Sequence, residues 1–433
     1  MLKNFAALSI KMPLYFNYSV GYVGIGLMTN VVVTWAMYFY SPPLSSGRTI
    51  YMSAAAFGLI IALGRIVDAF TDPLISVWSD GFRSPYGRRI PFIAAGALPT
   101  VLAFIFIWYP PVPGPAVLNT VYLMAMLGLM FLGLTVITCP FLALMPEIAT
   151  TPGERMRAAE GIALAHIAAV ATAMLGAAFF IEEFGFQAMA IFAGTVALVS
   201  FLSPVLTVRE APRDSSREPF SFRESLLLTL KNRVFLPYIL SLPFFWFGFN
   251  FVLMGIPYIT TVQIGLSESM VGIALVLAML VALASFPLVR RLSLVKGKKY
   301  TFSVTMLCSS LLLMGMASVG SWPGFIPVAV QGMAFIAAAG IPLAGLFILP
   351  NALLADITDE DERNTGQRRE AVYYGMQGLV MKGTIGLSAL VLGLQLEAFG
   401  YSADSYLGIL LIGPVAGLCL LAGLAIFRRY PLA

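Results

Sequence analysis

The sequence predicts an all-α membrane protein whose twelve transmembrane helices form two groups of six. Three observations carry that expectation. Apolar runs of about 20 residues, long enough to cross a bilayer, recur from one end of the chain to the other. Of the 433 residues, 59% are hydrophobic and 11% charged, where an ordinary soluble domain carries about 25% charge. The basic residues gather in alternate breaks between the runs, which orients a membrane protein.

In chain order the predicted spans are 19–41, 50–76, 90–109, 117–146, 158–181 and 186–206, then 233–262, 267–290, 299–319, 324–356, 370–397 and 404–427, each bounded by charged or Pro/Gly-rich breaks. A short start with Lys3 and Lys11 leads into the first run, which is too long for a signal-peptide core and is expected to stay as an anchor. In the second span Pro73 interrupts regular helix hydrogen bonding: it either frees a carbonyl as a ligand or simply kinks the helix. The small residues from Gly21 to Gly26 suit close helix packing in the first. Cys139, Cys308 and Cys419 all fall inside apolar runs without paired spacing, so they read as small core hydrophobes.

With the N-terminus inside, only three of the 26 basic residues escape the inner segments: Arg48 lies outside, and Arg65 and Lys382 lie within spans. Both termini are therefore expected in the cytoplasm. The longest break, 207–232, is polar and Arg-rich and reads as a linker between an N-terminal bundle (1–206) and a C-terminal bundle (233–433). The halves echo each other. Pro85-Tyr86-Gly87-Arg88-Arg89 is answered 210 positions later by Val295-Lys296-Gly297-Lys298-Lys299, and Glu147-Ile148 is answered 209 positions later by Asp356-Ile357. Two six-helix repeats joined by a basic linker are the organisation of the major facilitator fold.

Four full charges fall within spans: Arg65, Asp68 and Asp72 in the second and Lys382 in the eleventh. Each costs about 2.5–3.5 kcal/mol at the membrane centre on an insertion scale, so they must face protein or a water-filled cavity. Helical spacing puts Arg65, Asp68 and Asp72 on one stripe, with the Thr71 hydroxyl between the carboxylates. Such a set of oxygens suits a small hard cation or a proton. It also suits a self-neutralising buried charge network, since the four charges sum to zero. Lone His166 reads as a satisfied interior histidine rather than a ligand. Trp246 and Asn250, one turn apart in the seventh span, line a cavity or face lipid.

Through Arg65-Ile66-Val67-Asp68-Ala69-Phe70-Thr71-Asp72-Pro73, Asp80-Gly81-Phe82-Arg83, Asp359-Glu360-Asp361-Glu362-Arg363, Thr365-Gly366-Gln367-Arg368-Arg369-Glu370 and Tyr374-Gly375-Met376-Gln377, the chain resembles the glycoside–pentoside–hexuronide:cation symporters, the melibiose permease-like branch of the major facilitator superfamily. The resemblance runs essentially full length. It implies a coupling-cation site at Asp68 and Asp72, aided by Thr71 and by Thr135 of the fourth span, with Lys382 as the family lysine of the eleventh. The sugar-binding pattern of the melibiose-type members departs here. Gly26 stands for their span-one aspartate, Thr138 for the span-four aspartate, Leu142 for the nearby tryptophan, and apolar residues near Ala163 for the span-five arginine. A sugar needs many buried hydrogen-bond partners. The remaining cavity candidates are Tyr22, Asn30, Trp246, Asn250, Gln377 and Lys382.

The expected function is cation-coupled symport, with sodium or protons, of a sugar or glycoside-like small molecule by alternating access. The alternatives are an amphipathic or anionic substrate such as a lysolipid, carried by other members of the same branch, and proton-coupled export. Charge pairs among Asp80, Glu147 and Asp356 and Arg83, Arg88, Arg89 and Arg363 are expected to gate the cytoplasmic side; topology alone would also place these residues there. Neither a histidine pair nor a Ser-His arrangement is present, so an enzyme is not expected. No resident cofactor and no catalytic metal are expected beyond the coupling Na+ or H+. The expected partners are a small-molecule substrate and the lipid bilayer, not nucleic acid, with the protein a monomer in a bacterial inner membrane.

Overall fold

The computed structural model describes residues 2–149, 151–210, 232–322, 326–365 and 370–432. Among them run α1 (Leu2–Tyr40), α2 (Ala54–Gly81), α3 (Ile90–Ile107), α4 (Val117–Ile148), α5 (Pro152–Ala171) and α6 (Ala177–Thr207). After the linker come α7 (Phe235–Tyr258), α8 (Glu268–Lys296), α9 (Lys298–Gly315), α10 (Val328–Thr365), α11 (Glu370–Phe399) and α12 (Ile412–Phe427). Of the predicted linker, only 207–210 and 232 lie within the described residues.

Eleven stretches among the described residues are long and apolar enough to cross a membrane, and one of them, Gly153–Thr207, is 55 residues long. At about 1.5 Å per residue it would reach about 80 Å, far beyond a hydrocarbon core of about 30 Å. Its interruption lies at Gly185, whose φ of 84° and ψ of 173° leave the helical region. A π turn at Thr172–Gly176 carries α5 on towards that break. The spans expected at 158–181 and 186–206 thus fall on either side of Gly185, and the stretch is two crossings. A capping box opens α5: Thr151 Oγ1 accepts the Glu154 N–H at 3.3 Å and Glu154 Oε2 accepts the Thr151 N–H at 3.1 Å.

The chain divides into two compact units: Met1–Ser41 with Thr49–Met52 and Leu63–Ser215, and Pro42–Arg48 with Ser53–Ala62 and Ser216–Ala433. In the first, α1 packs on α5 and α6, and α3 on α4 and α6. Polar groups tie α1 to its neighbours: Ser200 of α6 donates to the Val20 carbonyl at 2.9 Å, Ser203 of α6 to the Asn17 carbonyl at 2.9 Å, and Tyr18 to the Phe141 carbonyl of α4 at 2.9 Å. A hydroxyl so placed meets its bonding needs away from water, as hydrocarbon demands. Gly133 admits Thr100 of α3 so closely that a Cβ there would collide with its hydroxyl.

In the second unit α7 packs on α11 and α12, α8 on α10, and α9 on α12 and α10. Its core gathers Phe235, Leu242, Phe302, Leu353, Ile357 and Phe427. An apolar cavity of about 120 Å³ lies among Phe249, Leu253, Leu275, Leu312, Phe335 and Leu343, with Ser309 the hydroxyl on its wall.

Candidate functional site

Span two carries the charge because α2 turns one stripe inward. Arg65 and Asp68 are 7% and 3% exposed, while their neighbours Ile66, Val67 and Phe70 are more than half exposed, a pattern suited to hydrocarbon outside and a polar seam within. Arg65 Nη1 donates to Asp68 Oδ2 at 2.9 Å, and its guanidinium lies 4.1 Å from the centroid of the Phe131 ring of α4. The cation is thus met by a carboxylate and by an aromatic face. One turn on, Thr135 of α4 donates from Oγ1 to Asp72 Oδ1 at 2.9 Å. Thr71 donates to the Asp68 carbonyl at 3.3 Å, and Ser76 to the Asp72 carbonyl at 2.8 Å.

Asp68, Thr71, Asp72 and Thr135 therefore gather where α2 meets α4. Arg65 and Asp68 form a buried ion pair, and Asp72 with Thr135 presents adjoining carboxylate and hydroxyl oxygens. A donated hydroxyl keeps its lone pairs, so Thr135 can fix Asp72 and still offer an oxygen to a cation.

The motifs that echo between the halves form equivalent structures. In the first unit Arg88 meets Glu147 at 2.5 Å and Arg89 meets it at 3.2 Å. In the second, Lys298 meets Asp356 at 2.6 Å. Gly87 and Gly297 both adopt positive φ, 101° and 86°, which frees each turn from a side-chain clash. Arg363 turns instead to Glu360, one helical turn away at 3.1 Å. Asp356, one of the acids expected to pair with the gate arginines, is met instead by Lys298, a lysine outside the expected gate set. Arg83 is exposed, and the side chain of Asp80 lies outside the described residues.

Sequence reasoning missed Glu210. Its carboxylate accepts the N–H groups of Arg88, Arg89 and Ile90 at 2.6, 2.8 and 2.6 Å, which satisfies the open end of α3. A Cβ on Gly87 would stand 2.5 Å from the Glu210 carboxyl carbon, so the glycine is also needed for this approach. The only available signal was an acid just beyond the end of span six.

The cavity candidates divide between the units. In the first, Tyr22 and Asn30 lie on α1, with Tyr22 edge-on to His166 of α5 at 5.7 Å between ring centroids. In the second, Asn250 donates to the Trp246 carbonyl at 2.7 Å, and the Trp246 indole N–H is buried without an acceptor among the described residues. Gln377, 7% exposed, accepts from the Tyr238 hydroxyl at 2.8 Å and donates to Asn351 Oδ1 at 3.2 Å. Lys382 is half-buried on α11.

Residues 17–433 match the family model described as MFS/sugar transport protein. An uncharacterized symporter of Synechocystis, sll1374, is 23% identical, the match covering 96% of this chain and 93% of the relative. The isoprimeverose transporter of Lactiplantibacillus pentosus is 22% identical, with 90% and 81% covered. Sodium-dependent lysophosphatidylcholine symporter 1 of Gallus gallus is 24% identical, with 86% and 79% covered. Among solved structures, a D-xylose-proton symporter aligns with a TM-score of 0.66 at 14% identity over 97% of this chain and 99% of that one, a likeness of fold. With twelve long helices among the described residues in the order of two repeats, a polar stripe inside α2 and a family match from residue 17 to the end, the chain belongs to the MFS/sugar transport family and is a multi-pass membrane transporter of small molecules.

Proposed function

We propose that this transporter couples a cation to the movement of a sugar or glycoside-like small molecule by alternating access. Asp68 and Asp72 hold the ion, aided by Thr71 and Thr135. The observation that supports this reading is the Thr135 to Asp72 hydrogen bond of 2.9 Å, which sets a hydroxyl on one carboxylate a helical turn along α2 from buried Asp68. Both termini face the cytoplasm, by the bias of basic residues in the inner breaks, and the membrane is a bacterial inner membrane. Tyr22, Asn30, Trp246, Asn250, Gln377 and Lys382 are the substrate candidates.

A second reading, an amphipathic substrate, is supported by the apolar cavity of the second unit and by the similarity to a lysophosphatidylcholine symporter. Proteoliposome uptake separates the two. An inward sodium or proton gradient should raise the initial rate of isoprimeverose entry, and Asp72→Asn should remove the stimulation. Stimulated entry of lysophosphatidylcholine with no sugar entry would select the second reading. Entry indifferent to both gradients would defeat coupling.

A further inference from the structure

The sequence reading of His166 as a satisfied interior histidine does not fit its surroundings. It is exposed on α5, and neither of its ring nitrogens makes a hydrogen bond with any described residue. Beside it, the Tyr22 hydroxyl is likewise without a hydrogen-bond partner among the described residues. Asn30 spends its amide N–H on the Gly26 carbonyl at 2.8 Å, which leaves its oxygen as an acceptor. Tyr22, Gly26 and Asn30 recur every four residues and so share a stripe of α1. Gly26 makes the space for the imidazole: a Cβ there would stand 3.4 Å from His166 Nδ1 and 2.8 Å from the Ala169 methyl.

Polar groups at membrane depth are costly against lipid and belong at protein or a wet cavity. Here Tyr22 and His166 meet across two helices and Asn30 lies along the same stripe of α1, all with bonding capacity left over. None carries a fixed charge like that of Lys or Arg. The guanidinium of Arg65, which could have recognised an anion, is engaged with Asp68 at 2.9 Å. A neutral imidazole offers one donor and one acceptor, which is what a hydroxyl group requires.

We propose that His166, with Tyr22 and Asn30, is the first unit's contact with an uncharged, hydroxyl-bearing part of the substrate, and that His166 sets selectivity for it. The inference rests on the transport of a glycoside-like molecule and names the group that receives it. A site built to bond a hydroxyl discriminates strongly against analogues that lack one, because its own polar groups are then left unpaired.

His166 is the sole histidine of the 433 residues, so it is a built-in probe. Full-length protein in lipid nanodiscs is treated with diethyl pyrocarbonate, and the rate of modification of the His166 peptide is followed by mass spectrometry with and without isoprimeverose. The imidazole should react from water, and the sugar at about ten times its Kd should slow the reaction about tenfold. His166→Leu should weaken isoprimeverose binding about tenfold, while His166→Gln, which keeps a donor and an acceptor, stays within about threefold. An imidazole that does not react in nanodiscs faces lipid, and the inference is overturned whatever the substrate. Gradient-driven isoprimeverose uptake without protection overturns the role of His166 but leaves coupled sugar transport standing. Protection by sugar with no response of transport to either gradient supports His166 and defeats coupling; neither protection nor uptake defeats both.

Discussion

Replacing Thr135 by valine removes one hydroxyl from the α2–α4 seam while keeping the branched shape of the side chain. That hydroxyl donates to Asp72 Oδ1 at 2.9 Å, and Thr135 is only 3% exposed, so water does not readily take its place. A hydrogen bond to a charged group is worth about 1.5–3 kcal/mol. If Thr135 both fixes Asp72 and supplies a ligand oxygen, the whole of that falls on ion binding, about a 10- to 150-fold loss of sodium affinity. Thr135→Ser keeps the hydroxyl and should remain within about threefold of the parent. Titration calorimetry on purified protein reads both values directly. Sodium binding by the valine variant as tight as that of the parent would refute the reasoning, since the hydroxyl would then have no part in the ion site.

Other outcomes follow from the same geometry. Arg65→Ala removes the ion-pair partner of buried Asp68, and loss of one partner of a buried pair costs about 3–5 kcal/mol, so the thermal unfolding temperature should drop sharply; Arg65→Lys should recover part of it. The two echoed ion pairs should be unequal. Glu147 has a 10% exposed side chain and serves two arginines, whereas Lys298 and Asp356 are 36% and 37% exposed, so Asp356→Asn should cost about 1 kcal/mol or less and Glu147→Gln clearly more in a denaturation series. Gly133→Ala should destabilise by about 1–3 kcal/mol through its collision with Thr100, and the double variant with Thr100→Ala should regain most of that loss.

The fold was largely legible because membrane helices announce themselves by length and apolarity alone. The spans expected at 90–109 and 117–146 fall on α3 and α4 with nearly the same limits. Where one helical stretch covers two crossings, a single glycine, Gly185, separates them, and its positive φ is a property of the backbone that apolar runs do not encode. The Gly87 and Gly297 turns were legible as a repeat, because a fixed offset of matching charge and glycine survives divergence of the apolar residues around it.

The site was legible in part. Spacing alone aligned Arg65, Asp68 and Asp72, but which carboxylate takes the arginine depends on the rotation of α2 against α4. Thr135 entered through family resemblance, since nothing in its own sequence surroundings marks a lone threonine in an apolar helix. Glu210 and His166 were missed or read blandly for the same physical reason. Each meets a partner far along the chain, Glu210 the start of α3 and His166 the ring of Tyr22 of α1, and local patterns carry no trace of such pairings.

The central claim is that Asp68 and Asp72 bind the coupling ion. Its most direct test is sodium titration calorimetry on the purified transporter beside Asp68→Asn and Asp72→Asn, at two pH values. Saturable sodium binding in the parent, lost in both variants, is the predicted result. No sodium binding even at the higher pH, or binding that survives in both variants, would contradict a sodium site there and leave Arg65, Asp68 and Asp72 as a proton site or a structural charge network.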